Sequence, residues 1–182
     1  MQPRRALHPL VALILANAGD TLDFKQGTYV GIQASGYVSF PLSIIALNNT
    51  VVGPGSGTGL LLSGGYVTVT ADNTLLSGFT TGVSISYPVT STVNALYTLF
   101  DSNVAAAGNA SFTHTVFGAA GFVDPAKRDY HITYNSAARD RGGFTILATD
   151  FDGDARPLGA GNDIGADETR FTHGLFLPLA RR

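Results

Sequence analysis

Hydrophobic and polar positions alternate in short bursts along most of this chain. Val67-Thr68-Val69-Thr70 and Val83-Ser84-Ile85-Ser86 repeat with a period of two, as half-buried strands do. Val51-Val52 and Leu75-Leu76 are brief apolar runs. Gly53-Pro54-Gly55, Ser63-Gly64-Gly65 and Ser77-Gly78 punctuate them as turns. No window after residue 18 sustains helical periodicity. Before it, Leu7, Leu10, Val11 and Ile14 fall at helical spacing, with Pro9 in the first turn, where proline is tolerated.

The bursts recur. Asn49-Thr50-Val51-Val52-Gly53, Asn73-Thr74-Leu75-Leu76-Ser77 and Tyr97-Thr98-Leu99-Phe100 align, and Thr50, Thr74 and Thr98 are evenly spaced. A second register agrees, with Gly57-Thr58-Gly59-Leu60-Leu61 opposite Thr80-Thr81-Gly82-Val83-Ser84. Repeats of about two dozen residues made of short strands describe coils of a solenoid, stacked about 4.8 Å apart. An antiparallel sandwich also has short strands but imposes no constant register. The expected fold is all-β, a single-stranded right-handed parallel β-helix. Val51, Leu75 and Leu99 should form one internal ladder, and Asn49 should lie over Asn73.

A solenoid has two open ends that need covering. Residues 1–24 supply an N-terminal cap helix or, alternatively, a short export signal, with Arg4-Arg5, an apolar run and Ala16-Asn17-Ala18. That run is too short to span a bilayer, which takes about 20 residues. Residues 25–118 read as coils. Residues 119–168 lose the period and read as an irregular C-terminal cap that folds over the last coil and buries Phe122, Tyr130 and Ile164. Residues 169–182 read as a tail.

Composition narrows the function. Charged residues are 13% of the chain, against roughly 25% in an average globular protein, and the net charge is −2. No basic cluster exceeds a pair, which argues against nucleic acid. There is no cysteine, so thiolate metal sites and cysteine nucleophiles are excluded.

Two segments resemble a known family. Ala18-Gly19-Asp20-Thr21-Leu22 with Gly27-Thr28-Tyr29 resembles the opening of pectate-lyase-like β-helix proteins. Gly121-Phe122-Val123-Asp124-Pro125, Asp129-Tyr130-His131-Ile132, Asn135-Ser136-Ala137-Ala138 and Asp140-Arg141-Gly142 follow one another. Asp150-Phe151-Asp152-Gly153-Asp154-Ala155-Arg156-Pro157 and Asp163-Ile164-Gly165-Ala166-Asp167-Glu168 complete the string. It resembles the closing region of bacterial right-handed β-helix proteins known as choice-of-anchor Q domains. The resemblance implies export and display at the cell surface. This chain departs from the family in being short, and its Phe176-Leu177-Pro178-Leu179 tail is not a sorting signal of the Leu-Pro-x-Thr-Gly type.

Candidate chemistry is sparse. Elimination at uronic-acid polymers needs a base near a cation, yet residues 27–118 contain no Lys, Arg or Glu. Their acids are Asp72 and Asp101, separated by more than one repeat, so coil stacking does not simply pair them. Asp150, Asp152 and Asp154 resemble the start of a calcium loop, but Gly161 stands where an EF-hand needs its closing Glu. They are the metal candidates, with Ca2+ as the ion; the alternative is turn capping and pairing with Arg156 or Arg139. His8, His114, His131 and His173 show no metal-ligand spacing, and His131 reads as a satisfied cap residue. Tyr37, Phe40, Tyr66, Phe79, Tyr87 and Tyr97 either include a sugar-stacking face or pack between coils.

The expected function is therefore a non-catalytic exported or cell-surface β-helix with a structural, adhesive or glycan-binding role. Its expected partner is a polysaccharide or cell-envelope glycan, and it is expected to be a monomer with no catalytic residues. The alternative is a polysaccharide lyase or glycoside hydrolase on the same fold, or a fragment of one.

Overall fold

The computed structural model describes residues 21–23, 30–36, 42–101, 104–107 and 109–169. Among them the chain is all-β, with no α-helix. The first coil is β1 (Thr21–Asp23), β2 (Val30–Ala34) and β3 (Leu42–Leu47). The second is β4 (Thr50–Val52), β5 (Thr58–Leu62) and β6 (Val67–Asp72). The third is β7 (Leu75–Ser77), β8 (Thr81–Ile85) and β9 (Thr92–Leu96). The fourth is β10 (Leu99–Asp101), β11 (Val104–Ala107) and β12 (Ala110–Thr113), and β13 (Val116–Phe117) begins a fifth. Each strand pairs with the strand three places on, giving the sheets β1-β4-β7-β10-β13, β2-β5-β8-β11 and β3-β6-β9-β12. All of these pairings are parallel. The chain is a parallel β-solenoid. Among the described residues its first strand starts at Thr21, inside the segment assigned to the N-terminal cap. The proposed cap helix itself, residues 1–18, lies outside the described residues.

Alternate residues of the strands point inward and fill the lumen. Ile32, Leu60 and Val83 line one wall, Ile44, Val69 and Val93 another, and Val51, Leu76 and Phe100 the third. Phe79 also enters this core, so it is not a surface aromatic. Its ring needs glycine around it. A Cβ on Gly53 would come within 2.5 Å of the ring, and one on Gly31 within 2.9 Å. Here glycine serves close approach rather than an unusual dihedral.

The register corrects two expectations: Val51 does not share an internal ladder with Leu75 and Leu99, and Asn49 does not lie over Asn73. Thr50 lies opposite Leu75, and Val51 opposite Leu76, whereas Leu75 lies opposite Leu99. The step from Thr50 to Leu75 is longer by a single position than the step from Leu75 to Leu99, so Thr50 is not in the Thr74–Thr98 row. The corners explain the slip. Asn48, Asn73, Tyr97 and His114 all have left-handed backbones, φ 44 to 52°, and each stands just ahead of a strand of the first sheet. The corner asparagine over Asn73 is thus Asn48, not Asn49. Thr74 and Thr98 follow the corner and bond back across the stack, their Oγ1 donating to the Ala46 and Ala71 carbonyls at 3.2 Å.

The first sheet is apolar on both faces. Val51, Leu76 and Phe100 point to the lumen, while Leu75 and Leu99 point outward into a second core with Ala120, Ile132, Ala138 and Ile164. Burial on both sides accounts for the continuous runs of β4, β7 and β10. The C-terminal segment supplies the outer cover. β14 (Phe122–Asp124) and β15 (Asp129–Ile132) form an antiparallel pair joined by a 3-10 turn. The chain then passes along the corners. Thr145 Oγ1 donates to Asn48 Oδ1 at 2.7 Å, the Gly143 N–H to Asn73 Oδ1 at 2.6 Å, and the Gly165 N–H to the Asn73 carbonyl at 2.9 Å. The segment therefore lies along the side of the stack, not over the last coil as its loss of period suggests. Phe117 on the last coil is 62% exposed. Ile164 is buried as expected, while Phe122 and Tyr130 are half-buried, packed edge to face at 5.2 Å. The outward leucines explain the placement, because leaving them wet would cost about 1.5–3 kcal/mol each.

Candidate functional site

Nine of the thirteen acids fall between residues 119 and 168, and the lateral cover gathers them. Most bond backbone groups. Asp150 Oδ1 accepts from the Asp152 and Asp154 N–H groups at 2.9 and 2.8 Å, and Oδ2 from the Glu168 N–H at 3.0 Å. Asp163 accepts from the Asp140 and Thr169 N–H groups. Glu168 and Arg156 form a fully buried ion pair at 2.6 Å. Glu168 also accepts from the Asp163 and Leu158 N–H groups, and Arg156 donates to the Gly165 carbonyl. Burial pushes the Glu168 carboxyl up to about 6, against those backbone bonds.

Of the three metal candidates, the fold turns Asp150 into a turn-capping group and directs Asp152 and Asp154 to a common cleft. The cleft, of about 290 Å³, is lined by His131, Tyr134, Asp152, Asp154, Asp167 and their neighbours. His131 lies between carboxylates. Its Nδ1 is 2.5 Å from Asp129 Oδ1, and its Nε2 is 2.6 Å from Asp152 Oδ2. Phe151 packs against the ring at 4.9 Å. Burial opposes the imidazolium charge, but the bonds to Asp129 and Asp152 prevail and raise its pKa to about 9. The bond from His131 chiefly holds Asp129 below the usual carboxylate range. Asp167 is 5% exposed, and its Oδ2 accepts from the Ile132 N–H at 2.7 Å. Burial pushes its carboxyl up to about 6.

A second feature lies on the corner row. Tyr97 and His114 stack at 4.8 Å with their planes 6° apart. They occupy the left-handed position that asparagine fills on earlier coils. A bulky residue there is uncommon, and the mutual stacking offsets part of the cost. A Cβ on Gly143 would strike the Tyr97 ring, so the C-terminal segment fits against one side of it. An open groove of about 420 Å³ remains, lined by Tyr97, His114, Thr115, Asp140 and Arg141. Asp140 is engaged, its Oδ1 accepting from the Ala160 and Gly161 N–H groups and its Oδ2 pairing with Arg139 at 3.1 Å.

The other candidates are scattered. Asp72 ends β6 and Asp101 ends β10, on different sheets, and Asp101 accepts from Ser77 Oγ at 2.6 Å. Tyr66 and Tyr87 are exposed on separate turns, while Tyr37 and Phe40 lie outside the described residues. Sequence reasoning misses His131 and Asp167 as site residues. One signal was present, since Asp129 and His131 alternate on a strand and so share a face. Nothing local linked them to Asp152 or Asp167.

The fold defines the class: an all-β parallel solenoid with a lateral C-terminal cover. No helix among the described residues is long and apolar enough to cross a membrane. No family model, curated protein or solved structure matched the chain.

Proposed function

We propose that this chain is a non-catalytic, exported or cell-surface β-helix of the right-handed, pectate-lyase-like kind, closed by a choice-of-anchor Q type region, and that it binds glycans. One observation carries the reading: the stacked Tyr97–His114 pair beside Arg141 in an open groove. The exposed His114 ring, backed by Tyr97, takes the apolar side of a sugar ring, and a guanidinium and hydroxyl take its oxygens. The coil walls supply no comparable set for catalysis. With no Lys, Arg or Glu between 27 and 118, and Asp72 and Asp101 on different sheets, neither elimination nor paired-carboxylate hydrolysis has its groups there.

Retardation of the protein in gels carrying neutral and acidic polysaccharides tests this. At least one polysaccharide should retard the wild type, and His114→Ala and Arg141→Ala should each abolish most of the shift. Unsaturated products or new reducing ends in the same mixtures would favour the lyase or hydrolase alternative. A protein that no polysaccharide in a broad panel retards would overturn the glycan reading.

A further inference from the structure

We propose that His131, Asp152 and Asp167 form a site for a divalent first-row transition ion, with Zn2+ as its probe. One ligand atom from each residue lies within 4.8 Å of the others. Ligands at 2.0–2.1 Å around a tetrahedral ion stand about 3.3 Å apart, so the set is within a small adjustment of that geometry. Asp152 is the group that must move, since its Oδ2 is 2.6 Å from His131 Nε2. It sits on an exposed turn, where such a shift strains no packing. The ion would replace the proton now shared between these two atoms.

Two further observations point the same way. Asp129 accepts from His131 Nδ1 at 2.5 Å, which orients the ring and leaves Nε2 as the ligating nitrogen. A carboxylate behind a metal-binding imidazole does this in many sites. Asp167 is the other. It is 5% exposed, and its Oδ2 accepts a hydrogen bond from the Ile132 N–H. The residue lines the cleft together with His131 and Asp152. A buried carboxylate beside an imidazole nitrogen suits a cation. The nitrogen ligand selects the class, because Ca2+ and Mg2+ prefer oxygen shells. The cleft leaves a fourth position open for water or a small ligand.

Titration calorimetry on EDTA-treated, dialysed full-length protein tests the site with Zn2+, Ca2+ and Mg2+. One equivalent of Zn2+ should bind and raise the melting temperature, while Ca2+ at the same concentration does neither. His131→Gln and Asp152→Asn should each lower Zn2+ affinity at least tenfold, and His114→Ala should leave it unchanged. Asp152 is on an exposed turn, so its variant is expected to fold, and a far-ultraviolet circular dichroism spectrum checks this. The proposal is overturned if Zn2+ does not bind stoichiometrically, if both cleft variants bind as the wild type does, or if Ca2+ binds in preference.

Discussion

Asn73 and Gly143, 70 residues apart in sequence, exchange hydrogen bonds across the side of the solenoid. The Gly143 N–H donates to Asn73 Oδ1 at 2.6 Å, and Asn73 Nδ2 donates to the Gly143 carbonyl at 3.4 Å. One corner residue thus accepts a left-handed backbone and anchors the C-terminal cover. Asn73→Gly keeps the corner conformation free of strain and removes only these bonds. It should cost about 1–3 kcal/mol in urea unfolding, because it leaves a buried N–H without an acceptor. An unchanged midpoint would show that the cover does not depend on this corner.

Gly165 is a tight point of the cover. Its φ is +111°, and a Cβ there would lie 2.7 Å from Thr50 Oγ1. Gly165→Ala combines backbone strain with a clash and should destabilise by at least about 2 kcal/mol. Gly153, also at positive φ but with open space around it, provides the comparison. Gly153→Ala should cost only about 1 kcal/mol from the dihedral. Equal losses in thermal melts would contradict the close packing of cover on sheet.

The Arg156–Glu168 pair is fully buried, so removing one charge strands the other. Arg156→Met should cost about 3–5 kcal/mol at neutral pH. An unpaired buried Glu168 would favour its protonated form, so this variant should regain stability on acidification to about pH 5, relative to wild type. Denaturation curves at the two pH values decide the matter. A variant whose deficit is the same at both would show that Glu168 finds another partner or reaches water.

His131 links stability to alkaline pH. Its pKa is about 9 when folded, against an ordinary 6.5, so its contribution is complete below 6.5 and is lost as pH rises through 9. Asp129, Asp152 and Asp167 are the charged groups that face it. Asp167 has a raised pKa near 6, and its effect falls between about 4 and 6, outside this window. The pairs are about two-fifths exposed, which limits the contribution to no more than about 1 kcal/mol. In EDTA, the melting temperature should fall by about 2–4 °C more between pH 7 and 10 in wild type than in His131→Gln. Parallel pH profiles would remove His131 as the cause.

Local patterns along the chain specify the stacking. Period-two strands such as Val67–Thr70, glycine-marked turns and a recurring interval between like segments are local signals. The Gly59–Gly82 alignment matches the observed pairing of Thr58 with Thr81 and Leu60 with Val83. Register at the corner needed the tertiary structure. Asn48 and Asn49 are the same residue type, and backbone conformation alone chose which one turns the chain. The two apolar positions of β7 were also indistinguishable in sequence. Leu76 faces the lumen and Leu75 faces the cover, because a second layer is present to bury the outward face. The cleft was the least legible part. Asp152 and Asp167 come far after His131 in the chain, and only the path of the cover along the sheet brings the three together. A local pattern can specify a strand or a turn, but it carries no information about which distant segment a sheet's outer face will bind.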